Sequence, residues 1–141
     1  MNHANHTTST LPLIGRLLMA TIFVFSGLGK LAAPAATIGY IGAMGLPFPA
    51  LGLVGAIGIE IGGGLLLAFG LQTRLVALAL AAFSVVTGLI FHHAIGDQNQ
   101  LIHLLKNLAM AGGLLQFAAY GAGALSLDAR AKQPKLAGRA A

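Results

Sequence analysis

Apolar positions in this chain fall in four long blocks separated by short polar or Gly/Pro-rich breaks. The first ten residues (MNHANHTTST) are mostly polar, and an apolar run over about 11–33 follows. Three more runs cover about 49–70, 74–95 and 100–120. A helix needs roughly 20 apolar residues to cross a bilayer core, and each run is long enough. The pattern predicts an all-α membrane protein, a bundle of four transmembrane helices.

The breaks are distinct in kind. Pro34 closes the first run. The segment 34–48 reads as a loop with short apolar pieces, closed by Leu46-Pro47-Phe48-Pro49, with Pro49 suited to a first helical turn. Gly70-Leu71-Gln72-Thr73 reads as a tight turn, and Gly96-Asp97-Gln98-Asn99 as a polar one. Gly121-Ala122-Gly123 ends the fourth run. The expected organisation is a disordered polar head at 1–10, a membrane domain at 11–128 and a basic tail at 129–141. Arg16, the apolar run and the small residues at 32–36 imitate a signal peptide. Lys30 interrupts that pattern before the supposed cleavage site, and the head before Arg16 carries no Lys or Arg.

Composition strengthens the membrane reading. Hydrophobic residues make up 57% of the 141 positions and charged residues 8%, against about 25% charged in soluble domains. Mean hydropathy is +0.85. There is no Cys, so disulfides, thiol chemistry and cysteine metal sites are excluded. The net charge of +5 does not point to nucleic acid. Half of the basic residues (Arg130, Lys132, Lys135, Arg139) lie in the last dozen positions, without an aromatic platform. That tail favours a cytoplasmic C-terminus and contact with anionic lipid. Four spans then put the N-terminus on the cytoplasmic side too. Arg74 falls in the inner turn and Asp97 in the outer one, while Lys30 near the outer end is a mild violation.

Gly58-x-x-x-Gly62 and Ala109-x-x-x-Gly113 are small-x-x-x-small patterns. They favour close helix packing within the chain, with a dimer face as the alternative.

Ionisable residues inside the spans are the informative ones, because a charge at mid-bilayer costs at least ~2.5–3.5 kcal/mol. Glu60 lies about eleven residues into the second span, roughly 16 Å deep. Lys106 matches its depth best and Lys30 second. His103, Lys106, Asn107 and Met110 share one helical face, and Ser84, Gly88 and His92 another. His92, His93 and His103 are expected to converge on the outer third of the bundle. The reading is a polar cavity in the outer half lined by Lys30, Glu60, His92, His103, Lys106 and Asn107. The same residues also fit a structural salt-bridge network that fixes helix register. A metal held by the histidines is disfavoured: His92 and His93 point roughly 100° apart, and no i, i+4 pair is present. At the inner end, Arg16 and Asp128 are expected to form a structural ion pair between the first and last helices. No nucleophilic triad, phosphate loop or dinucleotide fingerprint is present.

Several segments together resemble the DoxX family of small four-helix bacterial membrane proteins. They are Arg16, Phe25-Ser26-Gly27-Leu28-Gly29-Lys30-Leu31, Gly58-Ile59-Glu60-Ile61-Gly62-Gly63, Gly70-Leu71-Gln72-Thr73-Arg74, Lys106-Asn107-Leu108 and Ser126-Leu127-Asp128. The resemblance covers about residues 12–128. It implies a bacterial inner-membrane protein linked to redox metabolism, quinone stress or membrane oxidoreductase complexes. It implies no role for His92, His93 or His103.

Three functions are consistent with these residues. The first is a redox accessory that binds a quinone or a similar small molecule in the cavity. It needs no cofactor of its own, and its electrons come from an oxidoreductase partner or from the ligand. The second is a transporter of protons or a small solute, which requires a homo-oligomer. The third is a ligand-free scaffold or assembly subunit.

Overall fold

The computed structural model describes residues 3–132, and the side chains from Thr10 onward. Every element among them is helical. Helix α1 spans His3–Ala32, α2 Pro34–Ala43 and α3 Pro49–Ile57. A π-helical turn at Gly58–Gly62 joins α3 to α4, which spans Gly63–Phe69. Helices α5 (Thr73–Phe91), α6 (Gln98–Tyr120) and the short α7 (Leu127–Lys132) follow.

Four helical stretches are long and apolar enough to cross a membrane: Thr10–Ala32, Pro49–Phe69, Thr73–Phe91 and Gln98–Tyr120. They match the four apolar runs. Burial is inverted relative to a soluble protein. Leu18, Phe25, Leu51 and Leu75 project outward, as side chains facing lipid do. The centre is a small cluster of Phe23, Leu67, Val76, Leu80 and Leu114 with Ala77, Ala81 and Ala111 between them. Helix α5 packs along α6, α1 packs against the second span, and α1 and α6 barely meet.

Four sequence expectations need correction. The head is not loose from His3 onward, because α1 starts there. Extending an existing helix fixes one residue per added bond and needs no new nucleus. The basic tail falls partly in α7, which holds Arg130 and Lys132, while Lys135 and Arg139 lie outside the described residues. The segment 34–48 is not simply a loop: Pro34 starts α2, as its fixed φ suits a first turn. Finally, the third span stops at Phe91, so His92 and His93 lie beyond it.

The glycine pattern also differs. A Cβ at Gly58 or Gly62 would meet nothing within 4 Å. The wider π-turn between them breaks the i, i+4 register the pattern assumes. Close approach occurs at Gly27 instead, where a Cβ would lie 2.5 Å from Ile61 and 3.3 Å from the Glu60 Cβ. In the other pattern, only Gly113 is packed, against the Met19 methyl.

Candidate functional site

The bundle has two chemically different ends. One carries the 33–48 and 92–97 connections and is called here the histidine end. The other carries the 70–72 and 121–126 connections and is called the arginine end.

In the histidine-side half lies a cavity of about 600 Å³. All six residues expected around such a cavity line it: Lys30, Glu60, His92, His103, Lys106 and Asn107. Its polar focus is an ion pair. Lys30 Nζ lies 2.9 Å from each Glu60 carboxylate oxygen. Ser26 Oγ accepts a hydrogen bond from Lys30 Nζ at 2.8 Å and donates to Glu60 Oε1 at 3.2 Å. Lys30, and not Lys106, is therefore the partner of Glu60. The reason is directional. Side chains lean toward the N-terminus of their helix. Lys30 near the end of α1 leans inward, and Glu60 on the antiparallel second span leans outward, so the two meet.

The opposite wall is built by α5 and α6. The His92 and His103 rings stack with centroids 5.0 Å apart. His92 Nδ1 lies in hydrogen-bond contact with Gln100 Oε1 at 2.9 Å. His93 leaves the group: it is exposed, and its Nδ1 contacts the Ile90 carbonyl. Asn107 Nδ2 donates to the His103 carbonyl. Lys106 and His103 are exposed, so the α6 wall is the open one. Asp97, expected in a turn, accepts from Gln100 N and caps α6.

Helix α2 covers the top of the cavity and was not legible in the sequence. Thr37, Tyr40 and Ile41 line the cavity from it. The Tyr40 ring stacks on Phe91 at 5.3 Å, and its hydroxyl donates to the Phe91 carbonyl at 3.4 Å. Phe23, Phe83 and Met110 supply apolar wall below. Ser26 was also missed. It stands one helical turn before Lys30, and that i, i+4 spacing was the available signal.

The arginine end holds a clamp rather than the expected ion pair. No salt bridge joins Arg16 to Asp128. Asp128 Oδ1 and Oδ2 accept from Gln72 N (2.7 Å) and Thr73 N (2.9 Å), capping α5 across the turn. Asp128 N donates to Gly70 O at 2.9 Å. Burial pushes the Asp128 carboxyl up, but hydrogen bonds from Thr73 and Gln72 and the nearby Lys132 outweigh it, leaving it below the ordinary carboxylate value. Arg16 is fully buried, and its Nη2 donates to Leu125 O at 2.6 Å. Free backbone amides at a helix start compete with a guanidinium for the carboxylate, and here they hold it.

These features define a small integral membrane protein of four spans, clamped at one end and hollow in the other half. The chain belongs to the DoxX family, whose profile matches residues 11–93. It is similar to the inner membrane protein YqjF of Escherichia coli, 40% identical over 116 residues, 82% of this chain and 88% of that one. It is also similar to the inner membrane protein YphA of the same organism, 32% identical over 125 residues, 84% of this chain and 88% of that one. No solved structure gives a significant match.

Proposed function

We propose that this protein binds a quinone, or a small flat molecule of similar polarity, in the cavity of its histidine-side half. The observation that supports this is the cavity itself. Its volume of about 600 Å³ falls within the ~300–1,000 Å³ of ordinary small-molecule sites. Donors for a ligand stand on the α6 wall, His103 and Lys106, and face the polar Lys30–Glu60–Ser26 network, whose own donors are engaged with one another. A quinone presents two carbonyl acceptors on opposite edges of an apolar ring. Phe83, Phe91 and Met110 offer the ring an apolar bed. Glu60, held by Lys30, is the group placed to exchange a proton with a bound ligand.

The setting in this reading is the bacterial inner membrane, with both termini cytoplasmic. Electrons pass to or from an oxidoreductase partner. Titration of the purified protein in lipid nanodiscs with ubiquinone, followed by NMR, tests the binding. Signals near Glu60 and Lys106 should shift and saturate. Unchanged signals at saturating quinone would refute the proposal.

A further inference from the structure

The cavity wall carries a positive charge, Lys106, that no carboxylate among the described residues pairs with. The chain contains three carboxylate side chains: Glu60, Asp97 and Asp128. Each is occupied. Glu60 is paired with Lys30. Asp97 caps α6 by accepting from Gln100 N, and it lies nine residues before Lys106, ~13 Å along the helix. Asp128 caps α5 at the arginine end. Among the described residues, Lys106 has neither a hydrogen-bond nor an ion-pair partner. Yet it stands in the third turn of α6, on the cavity wall, beside His103 and close to the stacked His92.

A lone ammonium at this depth is costly in lipid, and intramembrane charges are normally paired or functional. The cavity bed beneath Lys106 is apolar and aromatic. Resting on the reading that this cavity binds a small molecule, we infer that its preferred ligand is a weak organic acid. It has an apolar or aromatic body bearing one ionised oxygen, a carboxylate or an acidic ring hydroxyl. The anion sits on Lys106 with His103 beside it, and the body lies against Phe83 and Met110. The Lys30–Glu60 pair is net neutral and sets the far wall, so the charge preference resides on α6.

A matched pair of probes tests this apart from ligand binding as such. Menadione is a neutral naphthoquinone, and lawsone is its hydroxyl counterpart, ionised at neutral pH. Both are titrated calorimetrically into the protein in nanodiscs, with empty nanodiscs subtracted. Wild type should bind lawsone about tenfold more tightly, the lower range for a charge-assisted hydrogen bond. Lys106→Gln should abolish the preference, Lys106→Arg should keep most of it, and the cavity-remote Arg130→Gln should leave it unchanged. Equal affinity for both probes, or a preference that survives Lys106→Gln, overturns the weak-acid inference while leaving the cavity reading intact. Failure of both probes to bind overturns both. If Lys106→Gln does not fold, the comparison at low and raised salt decides, with Lys106→Arg as the charge-retaining control: the preference should shrink with salt in wild type and in Lys106→Arg. A preference insensitive to salt would overturn the inference.

Discussion

Lys30 and Glu60 are thirty residues apart in sequence, yet the lysine nitrogen sits 2.9 Å from both oxygens of the carboxylate. Gly27 makes this possible, since any side chain there would strike Ile61 and the Glu60 stem. The pair is asymmetric: the Lys30 side chain is 25% exposed and that of Glu60 7%. Removing one partner of a buried pair leaves the other charge uncompensated. Lys30→Met should therefore cost ~3 kcal/mol of stability. Glu60→Gln should cost less, because Lys30 keeps Ser26 and its long stem can carry the ammonium toward the interface. The double variant should recover part of the loss. Thermal unfolding in nanodiscs measures this, and additive losses would show that the two groups are not coupled.

Asp128 gives a pH dependence of definite sign. Its carboxyl is held below the ordinary carboxylate value in the folded protein. A depressed folded value means the stabilisation is present above the unfolded value and is lost as pH falls through the folded one. The thermal midpoint should thus fall in the acid region below the usual carboxylate range, and Asp128→Asn should flatten that limb. At neutral pH the same variant should lose about 1 kcal/mol, the worth of a helix cap. An acid limb unchanged by Asp128→Asn would assign the sensitivity elsewhere.

Much of the architecture was legible because spans in lipid must be long, apolar and helical. Composition and block length fix that without any tertiary knowledge. The six cavity residues were legible for a related reason: polar side chains at bilayer depth gather together. What was not legible depended on direction and on backbone. Depth alone favoured Lys106 for Glu60, while the lean of the side chains on antiparallel helices selects Lys30. Residue types suggested that Arg16 and Asp128 attract. The competing donors, Gln72 N and Thr73 N, belong to the backbone and leave no trace in a list of charged residues. Helix α2 was hidden because ten residues are too few to stand out as a span, and its flanking prolines read as loop.

Gly70 should be among the least replaceable positions. Its φ is 68°, a left-handed conformation, and a Cβ there would collide with the Arg16 guanidinium and the Ser126 side chain. Gly70→Ala should lower stability by about 1 kcal/mol from backbone strain alone, and by more from the displaced Arg16. Gly62→Ala is the control. It replaces a helical glycine with open space around it, so it should be neutral or slightly stabilising. Similar losses in the two variants would contradict this account of the turn.

Tyr40 should control how readily the cavity opens. Helix α2 is ten residues long, too short to be stable on its own, so it depends on what it packs against. It is seated on α3 through Ile41, which faces Gly52, and on α5 through Tyr40 and Phe91. Ring pairs of this kind contribute about 0.5–1.5 kcal/mol beyond their buried area. Tyr40→Ala removes that contact while leaving the Ile41 seat in place. Amide exchange in Pro34–Ala43 should then accelerate severalfold, with α5 and α6 little changed. Tyr40→Phe keeps the stack and loses only a long 3.4 Å hydrogen bond, so its exchange should stay near that of wild type. If Tyr40→Phe matched Tyr40→Ala, the hydroxyl and not the ring would be what holds the cover. Exchange unchanged in both variants would mean that α2 is held by its other contacts, Ile41 on Gly52 among them, and not by Tyr40.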